Sequence, residues 1–194
     1  MSGARRPFTS YAKVQKADPH PGLINLDFDW HPGVDVCWDL SRGLPFADAS
    51  MRGVFSEHCL EHFPLGRART LIAEVRRVMR PGAWFRVVVP DCELYLRTYV
   101  RALEGDRDAR FPYPDSVPAS LGLPAMYVNR VFYQDRESPH GHCVMYDYAL
   151  LRALLLEQGF TRIERVAFRE GHGPALLVDS EQRNQESLYV EALV

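Results

Sequence analysis

Long apolar runs are missing from this sequence: nowhere do about 18 apolar residues follow one another, which removes a membrane-spanning helix from consideration. The stretch Met1 to Lys16 carries Arg5, Arg6, Lys13 and Lys16 but no apolar segment of signal-peptide length. Cysteine is scarce. Cys37, Cys59, Cys92 and Cys143 are widely spread with no Cys-x-x-Cys pair, so they read as reduced thiols and not as a disulfide framework. An excess of positive charge is lacking too: Lys+Arg of 23 against Asp+Glu of 25 leaves a formal charge of −2. No global positive field is then available to hold a phosphate backbone or an anionic membrane. Internal repeats and low-complexity tracts are absent. These absences predict a cytoplasmic protein whose partner is neither nucleic acid nor membrane.

What is present fits one domain spanning residues 1–194, since 46% hydrophobic residues in 194 build one sizeable core. A short strand is predicted at Ala12–Ala17, followed by the breaker Asp18-Pro19-His20-Pro21-Gly22. The apolar run Leu23-Ile24-Asn25-Leu26 closes at Asp27, and Val34–Trp38 closes at Asp39. Met51–Ser56 is a further apolar stretch. From Gly66 to Met79, Leu71, Ile72, Val75, Val78 and Met79 are spaced for one helical face, which Pro81-Gly82 should stop. Trp84–Val89 is rich in β-branched and aromatic residues and ends at Pro90-Asp91, before a helix reaching Leu103.

Residues 105–142 break this rhythm with a Pro- and aromatic-rich stretch, including Phe111, Tyr113, Tyr127, Phe132 and Tyr133. It is too long for an ordinary loop of about 4–6 residues, and predicts an insertion or lid over a site. Tyr146–Gln158 reads as a helix, and Ile163–Phe168 and Ser187–Val194 as late strands, accommodated by an edge hairpin. The alternation predicts an α/β fold: a doubly wound, mostly parallel sheet with helices on both faces and an antiparallel strand near the C-terminus. Ligands in such sheets sit at the carboxyl ends of the strands, where Asp27, Asp39, Ser56-Glu57-His58 and Asp91 fall.

One stretch carries more specific information. Val54-Phe55-Ser56-Glu57-His58-Cys59-Leu60-Glu61-His62-Phe63 is followed by a helix and then by Arg80-Pro81-Gly82-Ala83-Trp84-Phe85-Arg86-Val87-Val88-Val89-Pro90-Asp91. This order resembles the second half of the class I S-adenosylmethionine-dependent methyltransferases, in which a strand leads into a His-x-Leu-Glu-His segment, then a helix, then a Lys/Arg-Pro-Gly-Gly turn. The segments Leu23–Asp27 and Asp39–Phe46 fit the same family's second and third strands. The resemblance covers roughly residues 23–100 well and 142–194 loosely.

The resemblance implies a Rossmann-like fold, S-adenosylmethionine as cofactor, and methyl transfer to a small-molecule or glycan acceptor; no metal ligand is assigned. Asp27 would accept from the cofactor's ribose hydroxyls, as the acid after the second strand does in dinucleotide-binding folds, with Phe28 beside the adenine. Asp39 would accept from the adenine amino group, with the backbone of Leu40 flanking the ring. Ser56, Glu57 and His58 would line the methionine end, and His58 and His142 are the candidates for a base or substrate clamp.

The family pattern fails at one place. A Gly-x-Gly-type loop should follow the first strand, because side chains there block close backbone approach. Here the segment reads Val14-Gln15-Lys16-Ala17-Asp18-Pro19-His20-Pro21-Gly22, with one glycine and two prolines that donate no amide. A rebuilt loop, a misplaced start, or a non-catalytic methyltransferase-like binding module would each account for it. Two metal readings compete as well. His58-Cys59-Leu60-Glu61-His62 satisfies the His-x-x-Glu-His pattern of zinc metallopeptidases, which requires one continuous helix, and Pro64 follows closely. Pro139-His140-Gly141-His142-Cys143 with His172 is the other cluster weighed.

Overall fold

The computed structural model describes residues 11–14, 20–133 and 141–194. Among these residues seven strands form one sheet: β1 (Tyr11–Val14), β2 (Ile24–Asp27), β3 (Val36–Cys37), β4 (Met51–Glu57), β5 (Met79–Pro90), β6 (Arg162–Val166) and β7 (Ser187–Leu193). Their order is β3-β2-β1-β4-β5-β7-β6. The first five run parallel, and β7 is antiparallel to both β5 and β6. The expected mixed α/β sheet with an antiparallel strand near the C-terminus is therefore found. The first strand begins one residue earlier than expected, and the rest of the predicted Ala12–Ala17 lies outside the described residues.

Among the described residues there are four α-helices, α1 (Leu65–Val78), α2 (Cys92–Leu103), α3 (Pro124–Phe132) and α4 (Tyr148–Glu157), of which α1 and α4 pack on the sheet. In α1 the buried positions Ala68, Leu71, Ile72, Val75 and Val78 make the apolar stripe foreseen from spacing. The helix ends before Pro81-Gly82, because a residue preceding proline disfavours the α region. Its chain passes directly into β5, where Met51 pairs with Met79 and Gly53 with Trp84, so that Arg80–Ala83 form a bulge with Gly82 at φ 78°.

Alternation along β5 assigns the two faces. Phe85, Val87 and Val89 pack with α1 and α4, through Ala68, Leu71, Ile72, Leu151, Leu154 and Leu155. Arg86 and Val88 point to the other face, where Phe55, Val88 and Tyr189 meet Leu23 and Leu176. Among the described residues that second face is covered at β4, β5 and β7 by the irregular connection 167–186. β6 and β7 thus form the expected antiparallel pair at the sheet edge, joined by this long crossing segment. Arg86 anchors this segment, which holds only two short 3₁₀ turns: its guanidinium donates to the Ala167 and Glu170 carbonyls and to both oxygens of Asp179.

Insertion 105–142 is not wholly irregular. Its α3 docks on α2 through Tyr95, Phe111 and Val131, with the Phe111 and Tyr127 rings stacked 4.6 Å apart. No helix among the described residues is long and apolar enough to cross a membrane.

Candidate functional site

The carboxyl ends of β2, β1, β4 and β5 lie in a row, and the start of antiparallel β7 joins them because Ser187 pairs with Pro90. At the β2 end, Asp27 is buried; its Oδ1 accepts from the Asp29 amide at 3.0 Å and its Oδ2 faces His31 Nε2 at 3.2 Å. Phe28 follows with 58% of its surface exposed, an unusual placement for a large apolar ring. Register brings the second acid alongside: Asp27 pairs with Cys37, and the Asp27 carbonyl accepts from the Trp38 amide at 2.8 Å, so Asp39 and Leu40 follow on the same edge. Asp39 caps a single 3₁₀ turn (Leu40–Arg42), and hydrogen bonds from the Ser41 hydroxyl and then from its amide hold the Asp39 carboxyl below the usual range.

At the β4 end Ser56 and Glu57 are buried, and both Glu57 oxygens are engaged by Ser180, from its amide at 2.9 Å and its hydroxyl at 2.6 Å. His58 turns the chain out of the strand in the left-handed region, at φ 46°. Its amide donates to Val88, and its Nε2 lies 2.8 Å from Ser187 Oγ. Burial lowers its pKa well below the ordinary value, with Arg183, His142 and His62 adding to the effect, so the imidazole is neutral near pH 7. Next comes Glu61, with no exposed surface and with neither carboxylate oxygen hydrogen-bonded. Burial pushes its pKa up to about 8. His58 Nδ1 and His62 Nε2 stand 3.5 and 3.9 Å from its Oε1.

His142, far away in sequence, arrives at the same place. The Cys143 and Val144 amides donate to the Glu61 carbonyl at 2.6 and 3.2 Å, and His142 Nδ1 donates to the Val131 carbonyl at 2.6 Å. The His142 and His62 rings meet edge to face at 4.9 Å. The structure therefore brings His58 and His142 to one corner, with Arg183 near both and Glu186 near His142.

Beyond that corner a cavity of about 190 Å³ opens, lined by Tyr95, Tyr113, Tyr127, Arg130, Arg183 and Glu186. Tyr95 donates to Glu186 Oε2 at 3.0 Å and Arg183 to Oε1 at 2.9 Å, so these polar groups are mutually fixed. A larger cavity, about 350 Å³, lies at the opposite edge beside Arg52, Arg80 and Trp84, away from these residues.

The two competing metal patterns do not survive in the form read from sequence. Leu60–His62 is one 3₁₀ turn followed by extended Phe63, so His58 and His62 share no helical face and the metallopeptidase arrangement is not formed. His172 pairs with Glu164 at 2.7 Å and stacks on Trp84, joining the larger cavity and not His142, while His140 lies outside the described residues. Sequence reasoning passed over Tyr95, Arg183, Glu186 and Ser187. Their one signal was positional, since the start of an antiparallel final strand must fall at the carboxyl edge of its parallel neighbour.

The parallel core, the reversed strand and the acidic carboxyl edge define a class I methyltransferase fold. The family model described as methyltransferase domain matches residues 4–87. A SAM-dependent methyltransferase from Archaeoglobus fulgidus superposes with a TM-score of 0.57 at 13% identity, over 96% of this chain and 86% of that one. Another, from Thermotoga maritima and described as a possible histamine N-methyltransferase, gives 0.52 at 14% identity, over 96% and 83%. None of the curated proteins matches the chain. The resemblance to S-adenosylmethionine-dependent methyltransferases, first carried by Val54–Asp91, is thereby borne out.

Proposed function

We propose that the chain catalyses methyl transfer from S-adenosylmethionine to a small-molecule or sugar acceptor seated in the cavity between α2, α3 and residues 182–186. One observation carries the reading: the acids at the β2 and β3 ends and the aromatic, Arg- and Glu-lined cavity lie on one sheet edge, with His58 between them. The residues fit the cofactor. Asp27 offers a buried carboxylate at the β2 end to a ribose diol, Phe28 presents an exposed ring for stacking, and Asp39 is held ionised as an acceptor. Leu40, Ser56 and Glu57 complete the edge through which the cofactor would run. When bound, the cofactor supplies a sulfonium-activated methyl group, so the protein's task is alignment more than proton transfer. Tyr95 and Arg183, braced on Glu186, orient the acceptor, and neutral His58 takes the proton that the acceptor's nucleophilic atom gives up.

Calorimetric titration with S-adenosylmethionine and S-adenosylhomocysteine tests the first half. Micromolar binding is expected, weakened at least about tenfold in Asp27→Ala, which corresponds to about 1.4 kcal/mol. No binding up to millimolar cofactor would overturn the reading in favour of a non-catalytic module. The second half is tested by Tyr127→Ala, which should raise the KM of an acceptor found by screening while leaving the cofactor Kd unchanged.

A further inference from the structure

Glu61 sets a problem that the methyl-transfer reading leaves unsolved. A carboxyl group with no exposed surface and no hydrogen bond on either oxygen is costly when ionised, and when protonated it still holds an O–H without an acceptor. What surrounds it is a set of imidazoles. Glu61, His62 and His142 each offer one ligand atom, and these atoms all lie within 4.8 Å of one another.

We propose that Glu61, His62 and His142 form a binding site for a divalent first-row transition ion of the zinc type. Two imidazole nitrogens and one carboxylate oxygen are the donor set such ions take, and three protein ligands leave a position for water or another oxygen. Ligands about 2.0–2.2 Å from zinc stand roughly 3.4 Å apart in a tetrahedron, so closure asks each side chain to move inward by about 1 Å, within the range of a side-chain rotation.

Two further features prepare the site. His142 donates its Nδ1 proton to the Val131 carbonyl, which fixes the tautomer that leaves Nε2 as a lone-pair donor, the orienting bond that metal-bound histidines commonly make. The ligand-bearing segments are tied together by backbone, through the Cys143 and Val144 amides on the Glu61 carbonyl and the Tyr146 hydroxyl on the Leu60 carbonyl. The fourth position belongs beside His58 and the cavity reached through Val131, where an acceptor oxygen would bind the ion and become easier to deprotonate. That last role rests on the methyl-transfer reading; uptake of the metal does not.

The test uses the full chain, stripped with a chelator and titrated with Zn(II) alone, the bound metal being counted after gel filtration. One ion per chain at micromolar concentrations is expected. Glu61→Gln and His142→Ala should each weaken binding by about 100-fold, whereas His172→Ala and Cys143→Ala leave it unchanged. Substoichiometric uptake by the unaltered chain, or equal uptake by the parent and the two ligand variants, overturns the proposal. Should either ligand variant melt abnormally, Co(II) in the unaltered chain decides. Intense visible bands of a four- or five-coordinate ion support the site, and weak octahedral bands or none refute it. Because no step measures methyl transfer, failure of this site and failure of the enzymatic reading are separable.

Discussion

Arg86 stands in the middle of β5 with its side chain fully buried, donating to Asp179 at 2.6 and 2.7 Å and to Glu191 at 3.2 Å. Replacing it alone leaves two buried carboxylates without a cation, so Arg86→Met is expected to cost about 3–5 kcal/mol in urea unfolding. Glycine positions divide sharply by surroundings. A Cβ at Gly171 would collide with the Glu191 carboxylate that helps hold Arg86, so Gly171→Ala should destabilise by about 1–3 kcal/mol. At Gly66, in the first turn of α1, a Cβ meets nothing within 4 Å, and Gly66→Ala should stabilise by about 0.5–1 kcal/mol. The same urea titration reads all three. None of the Arg86 partners was legible in sequence, because Asp179 and Glu191 lie 93 and 105 residues away.

Among elements, periodicity served best where one face is buried. The stripe of α1 and the β-branched run of β5 were both visible, since burial on one side or both imposes the pattern. Helix α3 was not foreseen: Pro124 opens it, but among its residues only Ala125, Met126 and Arg130 are good helix formers. Its apolar side faces α2 and Phe111 rather than the sheet, so it takes no part in the strand–helix rhythm. That docking is local, and Phe111→Ala should therefore speed hydrogen exchange across 105–133 while α1 and β5 keep their protection. Uniform acceleration throughout the chain would show instead that the insertion unfolds only with the core.

At the scale of the whole molecule, a ligand bridging several strand ends should bind only the folded state. S-adenosylmethionine at about a hundred times its Kd should then add roughly 2.7 kcal/mol to unfolding stability, and at the same concentration Asp27→Ala should gain less. A thermal melt with and without cofactor reads both. Equal stabilisation of parent and variant would remove Asp27 from the cofactor edge.

The sequence by itself determined the strand-and-helix alternation, the carboxyl-end positions of Asp27, Asp39 and Ser56–His58, and the family resemblance. These are properties of short segments, written in local spacing and turn chemistry. Only the tertiary structure decided that Glu57 is occupied by Ser180, that an irregular segment anchored on Arg86 covers one face, and that His142 meets Glu61 and His62. The physical reason is range: a buried charge finds its partner wherever the topology delivers one, and no periodicity along the chain records which residue that is.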